Sequence, residues 1–324
     1  MERIAVGLDM GGTKLEAVVA REGHDGLEVL TRRRVPTPQA EGYDAILGAT
    51  AALFRGVCAE AGLDPAQVPF GVGLPGGTTR RGGLVKNANT TCLNGRPFRQ
   101  DLQRQLGRAV VFDNDANLFA LAETLHGAAR AARSGVVFGV ILGTGVGGGV
   151  VLGGKVWQGL QGIAGEWGHH AVFHGREERC YCGRSGCLEL YASGPAVEAD
   201  YAARSGRRLP LAELALRRAE DPHAKAAIDG LLEAFARGLA NVIDVLDPSV
   251  IVLGGGVSNL PLLLDEGRDR VAGYVFNDEL ETPILRHALG DSAGVLGAAL
   301  LALAPGPFEA GVSPTDAALF GPRR

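Results

Sequence analysis

The sequence predicts an α/β protein built from two related lobes, on three observations. Short β-branched, apolar runs alternate with stretches of helical spacing, as in packed layers of strands and helices. A strand–glycine turn–strand unit near the start recurs at residues 136–152, which reads as an internal duplication. The 324 residues are 46% hydrophobic, enough for one large or two medium cores and too apolar for a disordered chain.

Taken in order, residues 3–8 and 15–20 are apolar runs on either side of Asp9-Met10-Gly11-Gly12-Thr13-Lys14, which predicts strand, turn, strand. Residues 27–35 fit a third strand. Residues 43–61 have helical spacing, with Ile46, Leu53 and Val57 on one apolar face. Phe70–Leu74 is a strand running into Pro75-Gly76-Gly77, and a long polar loop with Asn87, Asn89, Asn94 and Pro97 follows. Residues 110–112 form a strand entering Asp113-Asn114-Asp115, and 116–131 a helix. The opening pattern then returns as Val136–Leu142, the turn Gly143-Thr144-Gly145, and 148–152. Further helices are expected after the cysteine-rich loop, notably 225–246. Residues 250–253 make a strand meeting Gly254-Gly255-Gly256, and Ala293–Leu303 a closing helix. The tail beyond Pro305, rich in Pro, Gly and Ser, is expected to be loosely ordered. A ligand site belongs in the cleft between such lobes.

Bulk properties exclude several partners. Net charge is -4, with no basic stripe of the kind nucleic acid requires. Residues 135–154 carry no charge and are about as long as a membrane span, yet nine of the twenty are Gly, which fits a glycine-broken hairpin instead. Charged residues at Glu2, Arg3, Asp9 and Lys14 leave no room for a signal-peptide core, so a cytoplasmic protein is expected. Of the five cysteines, Cys58, Cys92, Cys180, Cys182 and Cys187, three fall within eight residues, a density that points to metal binding rather than disulfides.

Three groups of residues carry chemistry. The turns at Asp9–Lys14 and Gly143–Gly145 are made of small residues whose backbone N–H groups and Thr hydroxyls (Thr13, Thr144) can reach phosphate. Asp9 is a candidate Mg²⁺ ligand. Neither turn has Walker A or dinucleotide spacing, and Gly254-Gly255-Gly256 suits either a nucleotide contact or a plain strand-to-helix turn. Second, Asn114-Asp115-Ala116-Asn117 lies at the C-terminal end of a strand, where open α/β sheets bind ligands. Asp115 can take a proton from an alcohol, while the same residues can cap a helix. Third, His169, Cys180, Cys182 and Cys187 form the donor set of a closed, tetrahedral, structural Zn²⁺ site with no open position for activated water. His170 and His174 are alternative ligands by composition. His169 would bind through one ring nitrogen and leave the other N–H free for a hydroxyl. Glu166 and Glu189 flank this loop.

Together these residues resemble the ROK family of bacterial sugar kinases and related repressors. The matches run from Asp-x-Gly-Gly-Thr-Lys through Asn-Asp-Ala-Asn, Gly-Thr-Gly-x-Gly-Gly-Gly, Glu-x-Gly-His and Cys-x-Cys-Gly-x-x-Gly-Cys-x-Glu to His287-x-x-Gly-Asp-Ser-Ala-Gly294. The resemblance implies an actin-like, RNase H-type fold of two domains: residues 1–115 with about 292–305, and 116–291 carrying the zinc loop. It implies transfer of the γ-phosphoryl group of ATP, with Mg²⁺, to the 6-hydroxyl of a hexose, in a homodimer. Asp115 becomes the base; Asn89, Asn114, Glu166, His169 and Glu189 become sugar ligands. Asp9, Gly11, Gly12, Thr13, Lys14, Gly143, Thr144, Gly145, Gly254, Gly255 and Gly256 become the ATP site, and zinc holds the sugar loop.

The stretch 85–98 and the zinc loop look most like the fructokinase and mannokinase branch, so fructose is the expected substrate, with N-acetylglucosamine kinase and glucokinase as alternatives. One departure is Cys92, where those fructokinases tend to have Trp, a change expected in the pocket wall. The repressors of the family carry an N-terminal helix-turn-helix. Asp9 opens the kinase pattern almost at once, and with Asp115 and both turns intact a sugar-sensing regulator is disfavoured.

Overall fold

The computed structural model describes residues 2–304, apart from Asp25, Arg80, Arg81, His174, Arg176 and Glu177. The expected loose tail and the alternative ligand His174 lie outside the described residues. The chain opens with β1 (Arg3–Met10), β2 (Lys14–Gly23) and β3 (Gly26–Pro36), an antiparallel meander. Then come α1 (Tyr43–Glu60), β4 (Phe70–Leu74), a ribbon of β5 (Gly77–Thr78) and β6 (Val85–Lys86), α2 (Phe98–Leu106) and β7 (Val111–Asn114). The first sheet has the order β3-β2-β1-β4-β7, with β4 parallel to both β1 and β7. One of its faces packs on α1, where Ile46, Phe54 and Val57 meet Val6, Leu8 and Phe70, and the Phe54 and Phe70 rings stack with centroids 4.1 Å apart.

α3 (Asp115–His126) leads into the second unit: β8 (Val136–Leu142), β9 (Val146–Leu152), β10 (Lys155–Val156), the cysteine-rich loop, α4 (Glu189–Ala192), α5 (Gly194–Ser205), α6 (Leu211–Arg217) and α7 (Pro222–Leu246). It closes with β11 (Val250–Gly254), α8 (Glu266–Ala272), β12 (Ile284–Arg286) and α9 (Ala293–Leu303). The second sheet has the order β10-β9-β8-β11-β12, again an antiparallel hairpin continued by parallel strands. The duplication expected from the sequence is therefore a duplication of sheets. α7 spans its outer layer, its buried Ile228, Leu231, Phe235 and Leu239 sharing a core with Phe138, Val140 and Leu253. The uncharged stretch 135–154 is the β8–β9 hairpin. Among the described residues, no helix is long and apolar enough to cross a membrane.

α3 and α9 form the layer between the sheets, with Phe119, Ala120, Val295 and Ala299 in one apolar cluster. Close approach here demands missing side chains. A Cβ on Gly7 of β1 would lie 2.2 Å from the Val295 carbonyl oxygen, and one on Gly297 of α9 would lie 2.0 Å from that of Leu118 in α3. A buried carboxylate ties the same layer together: Glu123 of α3 accepts the N–H groups of Ala128 (2.8 Å), Ala288 (3.0 Å) and Leu289 (2.9 Å), just ahead of α9.

Two boundaries depart from expectation. α3 stops at His126, five residues short of the predicted end: the Glu123 carboxylate turns back over Gly127, and a short 3₁₀ turn at Arg130–Ala132 follows. α2 lies beyond the polar loop and has no apolar run to announce it; only Phe98 and Leu102, one helical turn apart, are buried.

Candidate active site

The first turn is braced from behind. Gly11 N–H donates to the Lys14 carbonyl (2.9 Å), Thr37 Oγ1 to the Gly11 carbonyl (2.7 Å), Thr37 N–H to the Thr13 carbonyl (3.0 Å), and the Gln39 amide to the Gly12 carbonyl. These bonds hold the loop while the Thr13 and Lys14 side chains stay exposed. Asp9 lies one residue before the end of β1, its carboxylate between two glycines: a Cβ on Gly73 would be 3.0 Å from Oδ1, and one on Gly294 would be 3.4 Å from Oδ2. Burial, then the charges of Asp115 and Glu16, push its pKa up to about 7, with Lys14 opposing.

At the end of β7, Asn114 caps α3, its Oδ1 accepting from Ala116 N–H (2.9 Å) and its Nδ2 donating to the Gly76 carbonyl (2.7 Å). Asp113 is buried. Its Oδ1 accepts from Asn114 N–H (2.8 Å) and Asn117 Nδ2 (2.7 Å), and its Oδ2 from Gln158 Nε2 (2.8 Å). Asp115 is exposed at the start of α3, its Oδ1 accepting from Ala116 N–H at 2.9 Å. Protein mass crowded around it withholds water from its charge, and the Glu166 carboxylate adds repulsion, so its pKa rises to about 6.

The second turn is tied to the far end of the cysteine-rich loop. Gly143 N–H donates to the Gly145 carbonyl (2.9 Å), Gly194 N–H to the Gly143 carbonyl (2.9 Å), and Val146 N–H to Glu189 Oε2 (2.8 Å). A Cβ on Gly145 would lie 2.7 Å from that same oxygen. Thr144 is exposed at the tip. The third glycine group has other reasons to exist. Gly254 sits where a Cβ would be 2.5 Å from the Phe119 ring, and Gly255, at φ 81°, lies against the Leu142 carbonyl. Packing accounts for both, and of the three only Gly256 faces open space.

The cysteine-rich loop folds into a knuckle, with Cys180 N–H donating to the Arg184 carbonyl (2.8 Å) and Gly183 N–H to that of Cys180 (2.9 Å). One ligand atom from each of His169, Cys180, Cys182 and Cys187 lies within 4.8 Å of the others, and all three thiols are free. His169 Nδ1 is 3.6 Å from Cys180 Sγ, and the Cys182 and Cys187 sulfurs are 3.6 Å apart. Three thiols and an imidazole so gathered fit Zn²⁺.

Two expectations about the histidines change. The His169 Nε2 is 3.0 Å from the Tyr181 hydroxyl, whose ring meets the imidazole edge-on, so this nitrogen is not left free for a substrate. His170 is outside the cluster. Its ring packs edge-on against Trp167, with Nε2 buried and unpaired, so it is not an alternative ligand here. Trp167 is the loop's anchor: buried against Phe138, it donates from Nε1 to the Gly147 carbonyl of β9 (2.8 Å), with Glu166 exposed beside it. Asn89 is exposed on the β6–α2 connection, its Oδ1 3.4 Å from Thr90 Oγ1. Cys92 is half-buried against the core under the first sheet.

Two duplicated sheets, paired glycine turns and an inner-strand carboxylate define an actin-like two-domain α/β kinase. The chain belongs to the ROK family, whose model matches residues 5–304. It is a sugar kinase, a hexose phosphotransferase of that family. It is 37% identical over 305 residues to the N-acetyl-D-glucosamine kinase of Photobacterium profundum, covering 91% of this chain and 98% of that one. A second relative, the N-acetyl-D-glucosamine kinase of Vibrio parahaemolyticus, is 37% identical over 306 residues with the same coverage. Among solved structures, the ROK hexokinase from Thermus thermophilus superposes with a TM-score of 0.80 at 36% identity, over 93% of this chain and 97% of that one. The ROK glucokinase from Streptomyces griseus, solved with glucose and AMPPNP, gives 0.74 at 30% identity, over 92% and 98%.

Proposed function

We propose that the protein is an ATP-dependent N-acetylglucosamine kinase that phosphorylates the sugar 6-hydroxyl. The mechanistic part rests on one observation: Asp115 is exposed at the start of α3 with a pKa raised to about 6, within electrostatic reach of both Asp9 and Glu166. A base poised near the working pH can accept the hydroxyl proton as the phosphoryl group arrives. Phosphoryl transfer needs alignment and charge stabilisation more than covalent chemistry. Asp9, Thr13 and Lys14 on one side, and the Gly143–Gly145 turn on the other, hold the donor phosphates. Asp9 holds Mg²⁺, which when bound neutralises phosphate charge. Glu166, Glu189, Asn89 and Asn114 line the sugar side, while His169, turned to the metal cluster and Tyr181, shapes the loop from behind. Zn²⁺, held by His169, Cys180, Cys182 and Cys187, keeps that loop in shape and takes no part in the transfer. Residues 1–115 with about 292–305 form one closing body and 116–291 the other.

The choice of sugar follows the relatives, which are named for N-acetylglucosamine, hexose and glucose. It therefore moves from the fructose expected above to the alternative given with it. Glucose is the second reading, favoured by the 30% identity to the Streptomyces griseus glucokinase solved with glucose. The test is ADP release with N-acetylglucosamine, glucose, mannose and fructose. The highest kcat/KM should fall on N-acetylglucosamine. A higher value for any other sugar overturns the assignment, and no release with all four overturns the kinase reading.

A further inference from the structure

Glu16 is a carboxylate that the chemistry above leaves unused, and its surroundings are unusual. It is buried on β2, directly opposite Asp9 in the β1–β2 register. Three cations converge on it: Arg34 Nε at 3.0 Å, Lys14 Nζ at 3.3 Å and Arg32 Nε at 3.6 Å. One buried carboxylate needs one cation for neutrality, and a single arginine fork can supply it. This one has three, and their side chains remain 38–46% exposed while that of Glu16 is 3% exposed. Asp9, opposite Glu16, and Asp291, whose charge acts on Arg34, also face these cations, whose head groups stay at an accessible surface.

Strand geometry shows where that charge points. Residues directly opposite in a sheet share a face, as do residues two apart on a strand. Asp9 pairs with Glu16 and Glu16 with Arg34, so these three form one cross-strand row. Lys14 and Arg32, two positions away, lie on the same face beside it. That face is the one on which Gly294 closes over the Asp9 carboxylate, and the charge of Asp291, just before α9, acts on Arg34 there. Arg33 projects from the opposite face, where it pairs one to one with Glu60 of α1 at 3.1 Å. The three cationic head groups thus lie on the side that carries Asp9 and the first turn.

We propose that Arg34, with Arg32 and Lys14 beside it, forms an anion seat for the phosphate chain of the donor, and that Glu16 fixes their head groups in place before the donor binds. The ligand class is a polyanion of linked phosphates, here the triphosphate of a nucleotide. This rests on the reading that the first turn holds the donor. Glu16 fits the role of organiser: a guanidinium already held by a buried carboxylate loses less freedom when it meets an anion.

The seat should respond to phosphate number rather than to the base. Calorimetry on the full chain with ATP, ADP, AMP and tripolyphosphate tests this. Arg34→Gln, which keeps a hydrogen bond to Glu16 but no charge, should weaken ATP roughly tenfold, AMP less than twofold, and abolish competition by tripolyphosphate. Arg34→Ala should do the same, and Arg33→Ala should change none of them. ATP affinity of Arg34→Gln equal to wild type, or an equal loss for AMP and ATP, overturns the proposal. Arg34→Gln keeps the test open should Arg34→Ala fail to fold. A failure of the sugar-kinase reading looks different: ATP binds the wild-type chain, with the same dependence on Arg34, yet no sugar elicits ADP release.

Discussion

Gln158 donates from Nε2 to Asp113 Oδ2 at 2.8 Å, and this bond joins the connection after β10 in the second sheet to the last strand of the first. Through its other oxygen Asp113 holds Asn114 N–H and Asn117 Nδ2, so the turn that presents Asp115 is fixed from both sheets at once. Misplacing a reacting group by about 1 Å costs on the order of a hundredfold in rate. Gln158→Ala should therefore lower kcat roughly tenfold while leaving the KM for ATP within about twofold. Steady-state kinetics at saturating sugar measure this; an unchanged kcat removes Gln158 from the positioning of the base.

Asp115→Asn should lower kcat by roughly 10²–10⁴. In the wild type, kcat/KM should fall about tenfold per unit as pH drops below about 6, where the carboxyl takes a proton. Stability should run the opposite way. The folded pKa of about 6 lies above the usual carboxylate value, so ionised Asp115 opposes folding above that pH, and the opposition fades as pH falls through 6 toward 4. Asp115→Asn should thus raise Tm at pH 8 and raise it less at pH 5. Equal gains at both would sink the electrostatic account.

Asp9 leads to a metal prediction. With its pKa near 7, a proton and Mg²⁺ compete for the same carboxylate. The free Mg²⁺ needed for half-maximal ADP release should rise about fivefold between pH 7 and pH 6, and little between pH 8 and pH 9. A Mg²⁺ requirement that ignores pH, measured at fixed ATP, would remove Asp9 as its ligand.

Removing the metal should hurt sugar and spare nucleotide. Cys182→Ser, or chelation of the purified protein, should raise the sugar KM by roughly 10–100-fold, the range seen when groups supporting a site are lost. ATP affinity by calorimetry should stay within about twofold. Equal losses for both ligands would show that the cluster supports the whole fold rather than the loop that bears Glu166 and Glu189.

The parts of this site legible in the sequence are those made from uncommon residue types. Cysteines at close spacing, glycines between apolar runs and an acid at a strand end each stand out from the background, and the structure brings the four metal donors together. What escaped notice is made of ordinary residues whose meaning depends on register. Gln158, Thr37, Gln39 and Glu16 look like any polar surface residue until pairing places them beside Asp113, the first turn and Arg34. Tyr181 stood inside the metal motif, but its capture of the His169 nitrogen depends on how the knuckle folds. Gly254 and Gly255 show the reverse limit: a glycine run marks a close approach without saying what approaches, here Phe119 and the Leu142 carbonyl.

The placement of α9 sets a timetable for the newborn chain. Gly7 leaves its gap on β1 for a helix that begins at Ala293, about 220 residues after the end of β4, so at ribosomal speeds of 5–20 residues per second the gap waits roughly 10–45 s. Through that interval one face of the first sheet, Ala5 and Val18 included, lacks its native cover. The last helix among the described residues thus completes the first sheet to be made, and the nascent protein is most exposed to chaperones and proteases through its earliest strands.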